Sequence, residues 1–155
     1  VSAGTAAAVG FVLLAMLVLG ALSLLVQAPL LFPAIGASAA LVLLAPAAPG
    51  AQPKCILLGH TLGALLGWVC VQTIAGGAQG SLAQLTTPAL LVSGSVALAA
   101  TVAALIVVRI PHPPAAATTM IVGMGLLPHA EQVLALIVSA GLAAGITAYA
   151  QRHAR

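Results

Sequence analysis

The chain has 155 residues, 63% of them hydrophobic and only 3% charged, with a mean hydropathy of +1.26. A soluble domain of this length keeps too much surface to hide that much apolar material, so lipid is the expected solvent for most of it. The net charge of +3 comes from single residues at segment ends (Lys54, Arg109, Glu131, Arg152 and Arg155), with no basic run, which excludes a nucleic-acid footprint.

The first apolar run, about 5–27, reads as a membrane span. It has no basic n-region, and further apolar segments follow, so it does not read as a signal peptide. A broken run, about 28–48, comes next and is interrupted at Pro33. Pro46-Ala47-Ala48-Pro49-Gly50 is a turn by its Pro/Gly content. The run 54–75 is again long enough to cross, since a spanning helix needs about 20 residues. Cys55 and Cys70 on it stand roughly 22 Å apart at helical rise, so they are expected as buried free thiols. Residues 76–87 form a polar, Gly-rich loop. Beyond it lie a full run at 88–108, a second broken run at 110–127 and a last full run at 130–150. One transmembrane domain over 1–155, with no separate soluble module, is the expected organisation.

Shifted by about 80 positions, the second half lies on the first without a gap. Pro33-Ala34-Ile35-Gly36-Ala37-Ser38-Ala39-Ala40-Leu41-Val42 then matches Pro113-Pro114-Ala115-Ala116-Ala117-Thr118-Thr119-Met120-Ile121-Val122. At the same offset Gln52 meets Gln132, Leu62 meets Leu142 and Ala64 meets Ala144. The predicted fold is an all-α membrane protein of two inverted three-segment repeats, about 1–76 and 81–155. It has four full transmembrane helices and two short half-helix segments. Charge selects this arrangement. If the broken runs cross, Lys54, Arg109, Arg152 and Arg155 share one face with both termini, and Glu131 lies on the other. If they re-enter, Lys54 and Arg109 face Arg152 and Arg155 across the membrane. The positive-inside rule favours crossing, with both termini cytoplasmic. Each proline forces a break, because it lacks the N–H a continuing helix needs. Helices over 34–46 and 114–127 would then finish each crossing.

Interrupted apolar segments at corresponding places in two halves point to a transporter's binding site. Two half-helices starting near the midplane from opposite faces would aim their N-termini, with unsatisfied N–H groups, at one centre that favours an anion. Ser38 and Thr118 are equivalent there, Thr119 adds a hydroxyl, and Pro33, Gly36, Pro113 and Pro114 shape the entrances. Small and hydroxyl residues are also ordinary helix-packing material in membranes. His112 is placed to donate to an anion, relay a proton or cap the helix start. His60, whose repeat partner is Ala140, breaks the symmetry. Imidazole titrates near physiological pH, so either is a candidate proton carrier, and either is equally a buried histidine bonded to a carbonyl. Gln52 and Arg109 are candidates for a cytoplasmic vestibule, with a simple membrane anchor as the alternative for Arg109. His129 and His153 sit at segment ends without an evident role. Gly59, Gly63 and Gly67 form a smooth stripe that the offset carries to Ser139, Ala143 and Thr147. No metal-ligand spacing and no catalytic pair is present in the sequence, so neither a cofactor nor an enzymatic activity is expected.

His112-Pro113-Pro114-Ala115-Ala116-Ala117-Thr118 resembles the signature of the HPP family of integral membrane proteins, usually written H-P-P-A-G-A-T. Pro33-Ala34-Ile35-Gly36-Ala37-Ser38-Ala39, Ala51-Gln52-Pro53 and Gly59-His60 look like its other shared motifs, and the resemblance covers nearly the whole chain. Ala116 stands where the family usually has glycine, which narrows the expected site. The family is commonly described with four transmembrane helices, against the six crossings read here. Some relatives carry an added cytoplasmic CBS module. Plant chloroplast members are associated with nitrite transport, so the resemblance implies a transporter or channel for a small monovalent anion. The combined expectation is a bacterial inner-membrane protein that passes nitrite, with proton coupling through a histidine, and that associates with copies of itself. The rival expectation is a non-transporting membrane sensor or anchor.

Overall fold

The computed structural model describes residues 3–27, 30–81 and 87–153. Arg155, the start of the first broken run at 28 and 29, and loop residues 82–86 lie outside the described residues, as does the His153 side chain. Among the described residues there are six α-helices and no strand: α1 (Ala3–Val26), α2 (Pro33–Leu44), α3 (Pro53–Ile74), α4 (Pro88–Val107), α5 (Pro114–Gly123) and α6 (Ala130–His153). A 3₁₀ turn at Pro49–Ala51 leads into α3. Helices α3, α4 and α6 are long and apolar enough to cross a membrane. Helix α1 has 24 residues, and its described apolar stretch is Val12–Val26. Large apolar side chains such as Leu24, Leu44 and Val107 stand exposed, the state expected where the solvent is hydrocarbon.

Prolines set four of the helix starts: Pro33, Pro53, Pro88 and Pro114 each occupy the first helical position, where the missing N–H costs nothing. Both half-helices stop earlier than the sequence suggests. Helix α2 ends at Leu44, not 46, and α5 at Gly123, not 127. The α5 stop is a Schellman motif. Gly125 takes φ +75°, its N–H donates to Val122, and the Leu126 N–H reaches back to the Ile121 carbonyl at 3.1 Å. The apolar Leu126-Leu127 pair that suggested further helix lies beyond this turn. Helix α4 ends in the same way on a non-glycine residue. Arg109 adopts φ +56° while Ile110 donates to Leu105 and Arg109 to Ile106. A side chain held there costs on the order of 1–3 kcal/mol, and the paired bonds offset it.

Helix α3 is the central element and packs against α4, α5 and α6. The segment 110–128 runs alongside it over nearly its whole length. A Cβ on Gly50 would strike the Pro111 carbonyl, one on Gly59 the His112 ring, and one on Gly63 the Ala115 carbonyl and Thr119 hydroxyl. One on Gly67 would strike the Thr119 carbonyl. At the far end, Trp68 Nε1 and Gln72 Nε2 both donate to the Pro128 carbonyl, at 3.1 and 2.8 Å. The glycine stripe is therefore a contact within the chain, and it brings α5 onto α3 at backbone distance. Helix α2 runs the other way along the core. The Leu30 carbonyl before it accepts from Ser139 in the middle of α6 (2.6 Å), and its far end meets the turn at Gly50 through Leu41. An apolar core of Leu19, Phe32, Ile35, Val122 and Leu136 fills the space between.

Candidate functional site

Four polar side chains from three helices and one loop meet in the interior, all at most 1% exposed: Ser38 (α2), His60 (α3), Thr118 (α5) and His112, just before α5. Each element delivers its residue for a local reason. Pro33 starts α2 a little over one turn before Ser38, and Pro114 starts α5 about one turn before Thr118. Gly59 leaves the space that the His112 ring fills beside His60. The Ser38 hydroxyl lies 2.7 Å from His60 Nε2 and 3.0 Å from His112 Nε2. His60 Nδ1 lies 2.6 Å from the Thr118 hydroxyl, and His112 Nδ1 lies 2.9 Å from the Gly50 carbonyl. The two imidazoles meet edge to face, ring centres 4.9 Å apart, with their Nε2 atoms 3.3 Å apart. Among the described residues every buried side-chain nitrogen and oxygen has a partner. That is the condition for a polar cluster to be tolerated in an apolar core.

Two cavities flank the cluster. A groove of about 450 Å³ between the end of α4 and the start of α5 is lined by Leu105, Ile106, Arg109, Pro111, His112 and Pro113. A smaller cavity of about 40 Å³ between α1, α2, α3 and α6 is lined by Met16, Ile35, Ser38, Ala143 and Thr147, among others. His112 therefore touches one cavity and Ser38 the other, and the 3.0 Å contact between them lies between the two.

The other expected site residues divide. Thr119 is fully buried next to the cluster, but its hydroxyl pairs with Thr101 at 3.0 Å and lies 3.0 Å from the Ala115 carbonyl. Pro113 borders the groove, Pro114 is buried beneath it, and Pro33 is exposed. Gly36 faces Met16 on α1 and does not reach the cluster. Gln52 and Arg109 do not share a vestibule. Gln52 borders a separate cavity with Lys54 and Gln151, while Arg109 borders the groove with His112. The helix starts are also less free than expected. Pro33 and Pro114 have no N–H to give, Ile35 and Gly36 donate to the Phe32 carbonyl, and Ala115 and Ala116 donate to His112 and Pro113. The polar chemistry at this centre is thus carried by imidazoles and hydroxyls, with few free amides. The Gly50 carbonyl and the Thr101 hydroxyl are not legible in the sequence. A carbonyl carries no residue-type signal, and Thr101 lies in an otherwise uniform apolar helix.

The 80-residue offset pairs His112 with Phe32 and His60 with Ala140. Phe32 and Ala140 lie together in the apolar core. Each repeat therefore contributes one histidine to the cluster where the other has a packing residue, and Ser38 and Thr118 are the hydroxyls the two repeats share.

A family model described as "HPP, transmembrane region" matches residues 2–153. The chain belongs to the HPP family. It is a multi-pass membrane protein of a family often linked to transport. No curated protein and no solved structure matches it. The HPP signature residues His112, Pro113, Pro114 and Thr118 are the ones that supply or shape one side of the buried cluster.

Proposed function

We propose that this HPP protein carries a small monovalent anion, nitrite first, across a bacterial inner membrane together with a proton. The observation that carries the reading is the buried Ser38–His60–Thr118–His112 cluster between two cavities. A structural role alone does not call for two histidines in hydrocarbon, where an ionisable group is expensive to keep. The groove at His112 is almost wholly apolar, with Arg109 as its one charged lining residue. A bare anion entering it would lose its hydration, at a cost of several kcal/mol unless a charge is paired with it. Arg109 offers one such charge at the groove wall and a proton on His112 a second beside the cluster, so an anion that moves inward from Arg109 is best paired by a proton moving with it. Nitrite is small and singly charged, which suits a narrow path.

The architecture we propose is two inverted three-helix repeats with the half-helices α2 and α5 completing a crossing each. The contacts of 110–128 along α3 from Gly50 to Gln72 support it, as does the opposite run of α2. Lys54, Gln151 and Arg152 gather at one end of the molecule, and we assign that end to the cytoplasm. The reaction proposed is passage without covalent chemistry.

The test is nitrite uptake into proteoliposomes containing a pH dye, with His112→Ala as the comparison. Uptake with matched acidification, lowered at least tenfold in the variant, is the expected outcome. Folded protein that passes no nitrite, nitrate or formate would remove the transport reading in favour of a sensor or anchor.

A further inference from the structure

Hydrogen-bond accounting assigns a position to every proton in the cluster. The Gly50 carbonyl only accepts, so His112 carries its hydrogen on Nδ1 and leaves Nε2 as an acceptor. If His60 also carried its hydrogen on Nδ1, two Nε2 lone pairs would face each other across 3.3 Å of dry interior. The single Ser38 proton would then have to serve both. With the His60 hydrogen on Nε2 the conflict disappears. Thr118 donates to His60 Nδ1, His60 Nε2–H donates to Ser38, Ser38 donates to His112 Nε2, and His112 Nδ1–H donates to Gly50. The Ala34 carbonyl, at 3.2 Å, is the longest of the Ser38 contacts and already belongs to its own helix. A serine hydroxyl has one hydrogen and two lone pairs. His112 takes the hydrogen and His60 one lone pair, which leaves one lone pair at a residue that lines the cavity between α1, α2 and α6. That cavity, about 40 Å³, exceeds the roughly 10–15 Å³ a water needs, and Ser38 and Thr147 are the two hydroxyl residues of its otherwise apolar lining.

We propose that Ser38 is the proton-passing hydroxyl between the two cavities, and that His60, held by Thr118, points it at His112. A water in the small cavity passes an arriving excess proton on to Ser38 Oγ and remains water, so that no hydronium rests among the apolar walls. In the same step the original Ser38 O–H bond breaks and an N–H bond forms on His112 Nε2, giving an imidazolium. Both nitrogens of His112 are then bonded, so release of the proton into the groove requires the ring to give up a partner. Ser38 and His112 are the conducting pair, and His60 and Thr118 are positioning residues. This inference rests on the reading of the cluster as the transport centre, but its chemistry does not depend on which anion moves.

The experiment has two arms. The first is ¹⁵N-histidine NMR of the full chain in lipid nanodiscs, with His129 and His153 changed to Gln to simplify the spectrum. The expected result is a neutral pair of opposite tautomers, Nδ1–H for His112 and Nε2–H for His60; hydrogens on Nδ1 of both rings would overturn the assignment. The second arm is proton flux into proteoliposomes under an imposed pH gradient. Ser38→Ala is expected to lower flux at least tenfold while the opposite tautomers persist, because His60 Nε2–H then bonds His112 directly. Ser38→Thr keeps the hydroxyl and is expected to restore most of the flux. Unchanged flux in Ser38→Ala would overturn the relay. Proton flux without nitrite flux would keep this inference and discard the anion. Nitrite flux without proton flux would do the reverse.

Discussion

Gly50 acts on His112 in two ways. Its carbonyl fixes the imidazole proton on Nδ1, and its missing side chain lets the chain at Pro111 pass at backbone distance. A Cβ there would overlap the Pro111 carbonyl, and neither backbone can yield cheaply. Gly50→Ala is therefore expected to push Pro111 and His112 away from the turn and break the His112–Gly50 bond. The overpacking should cost about 1–3 kcal/mol. The specific sign is loss of the single His112 tautomer in ¹⁵N spectra, with nitrite uptake reduced along with it. A Gly50→Ala protein that keeps the tautomer would mean that another acceptor orients the ring. At this scale the sequence was partly legible. Ser38 and Thr118 stood out because the repeat set two hydroxyls at equivalent places, and His112 and His60 because histidine in an apolar run is costly. Gly50 read only as a turn residue, since its part is played by its backbone.

The glycine stripe shows how an element is set by what it meets. Helix α5 has 10 residues and little sequence character of its own, with every first-turn residue small. Isolated helices of that length are marginal, so it owes its place to the groove that Gly59, Gly63 and Gly67 open on α3. The stripe was visible in the sequence, but its partner was not, because a smooth face fits any close neighbour. The end of α5 is hidden in the sequence for a related reason, as apolar residues continue past the turn and only the backbone at Gly125 reveals it. Two opposed effects decide what alanine does on the stripe. In a helix interior alanine is worth about 1 kcal/mol more than glycine. At Gly63, however, its Cβ would sit 2.7 Å from the Ala115 carbonyl and the Thr119 hydroxyl, an overlap costing about 1–3 kcal/mol. Gly63→Ala should therefore lower the melting temperature in detergent. Gly145→Ala on α6, with nothing within 4 Å, should leave it unchanged or raise it. Equal behaviour of the two variants would show that α5 is not seated on this stripe.

At the scale of the whole molecule, the order of contacts decides how the cluster is reached. The groove at Arg109 and His112 borders the loop that meets Gly50, at the end where Lys54, Gln151 and Arg152 gather. Glu131 lies in the first turn of α6, close to the other end of α3, where Trp68 and Gln72 bind Pro128. Two membrane placements stand against each other, crossing half-helices and re-entrant ones, and the positive-inside rule favours the first. They differ in one respect that can be measured. If α2 and α5 complete crossings, Lys54 and Arg152 share a face and Glu131 is opposite. If they re-enter, Lys54 and Arg152 lie on opposite faces. With the buried thiols Cys55 and Cys70 changed to Ala, single cysteines at 54, 131 and 152 can be labelled in sealed vesicles by a reagent that cannot cross. Labelling of 54 and 152 from the same side, and of 131 from the other, is the expected pattern. Lys54→Cys and Arg152→Cys labelled from opposite sides would remove the inverted repeat. The cluster would then have to be entered and left by a route that matched halves do not supply.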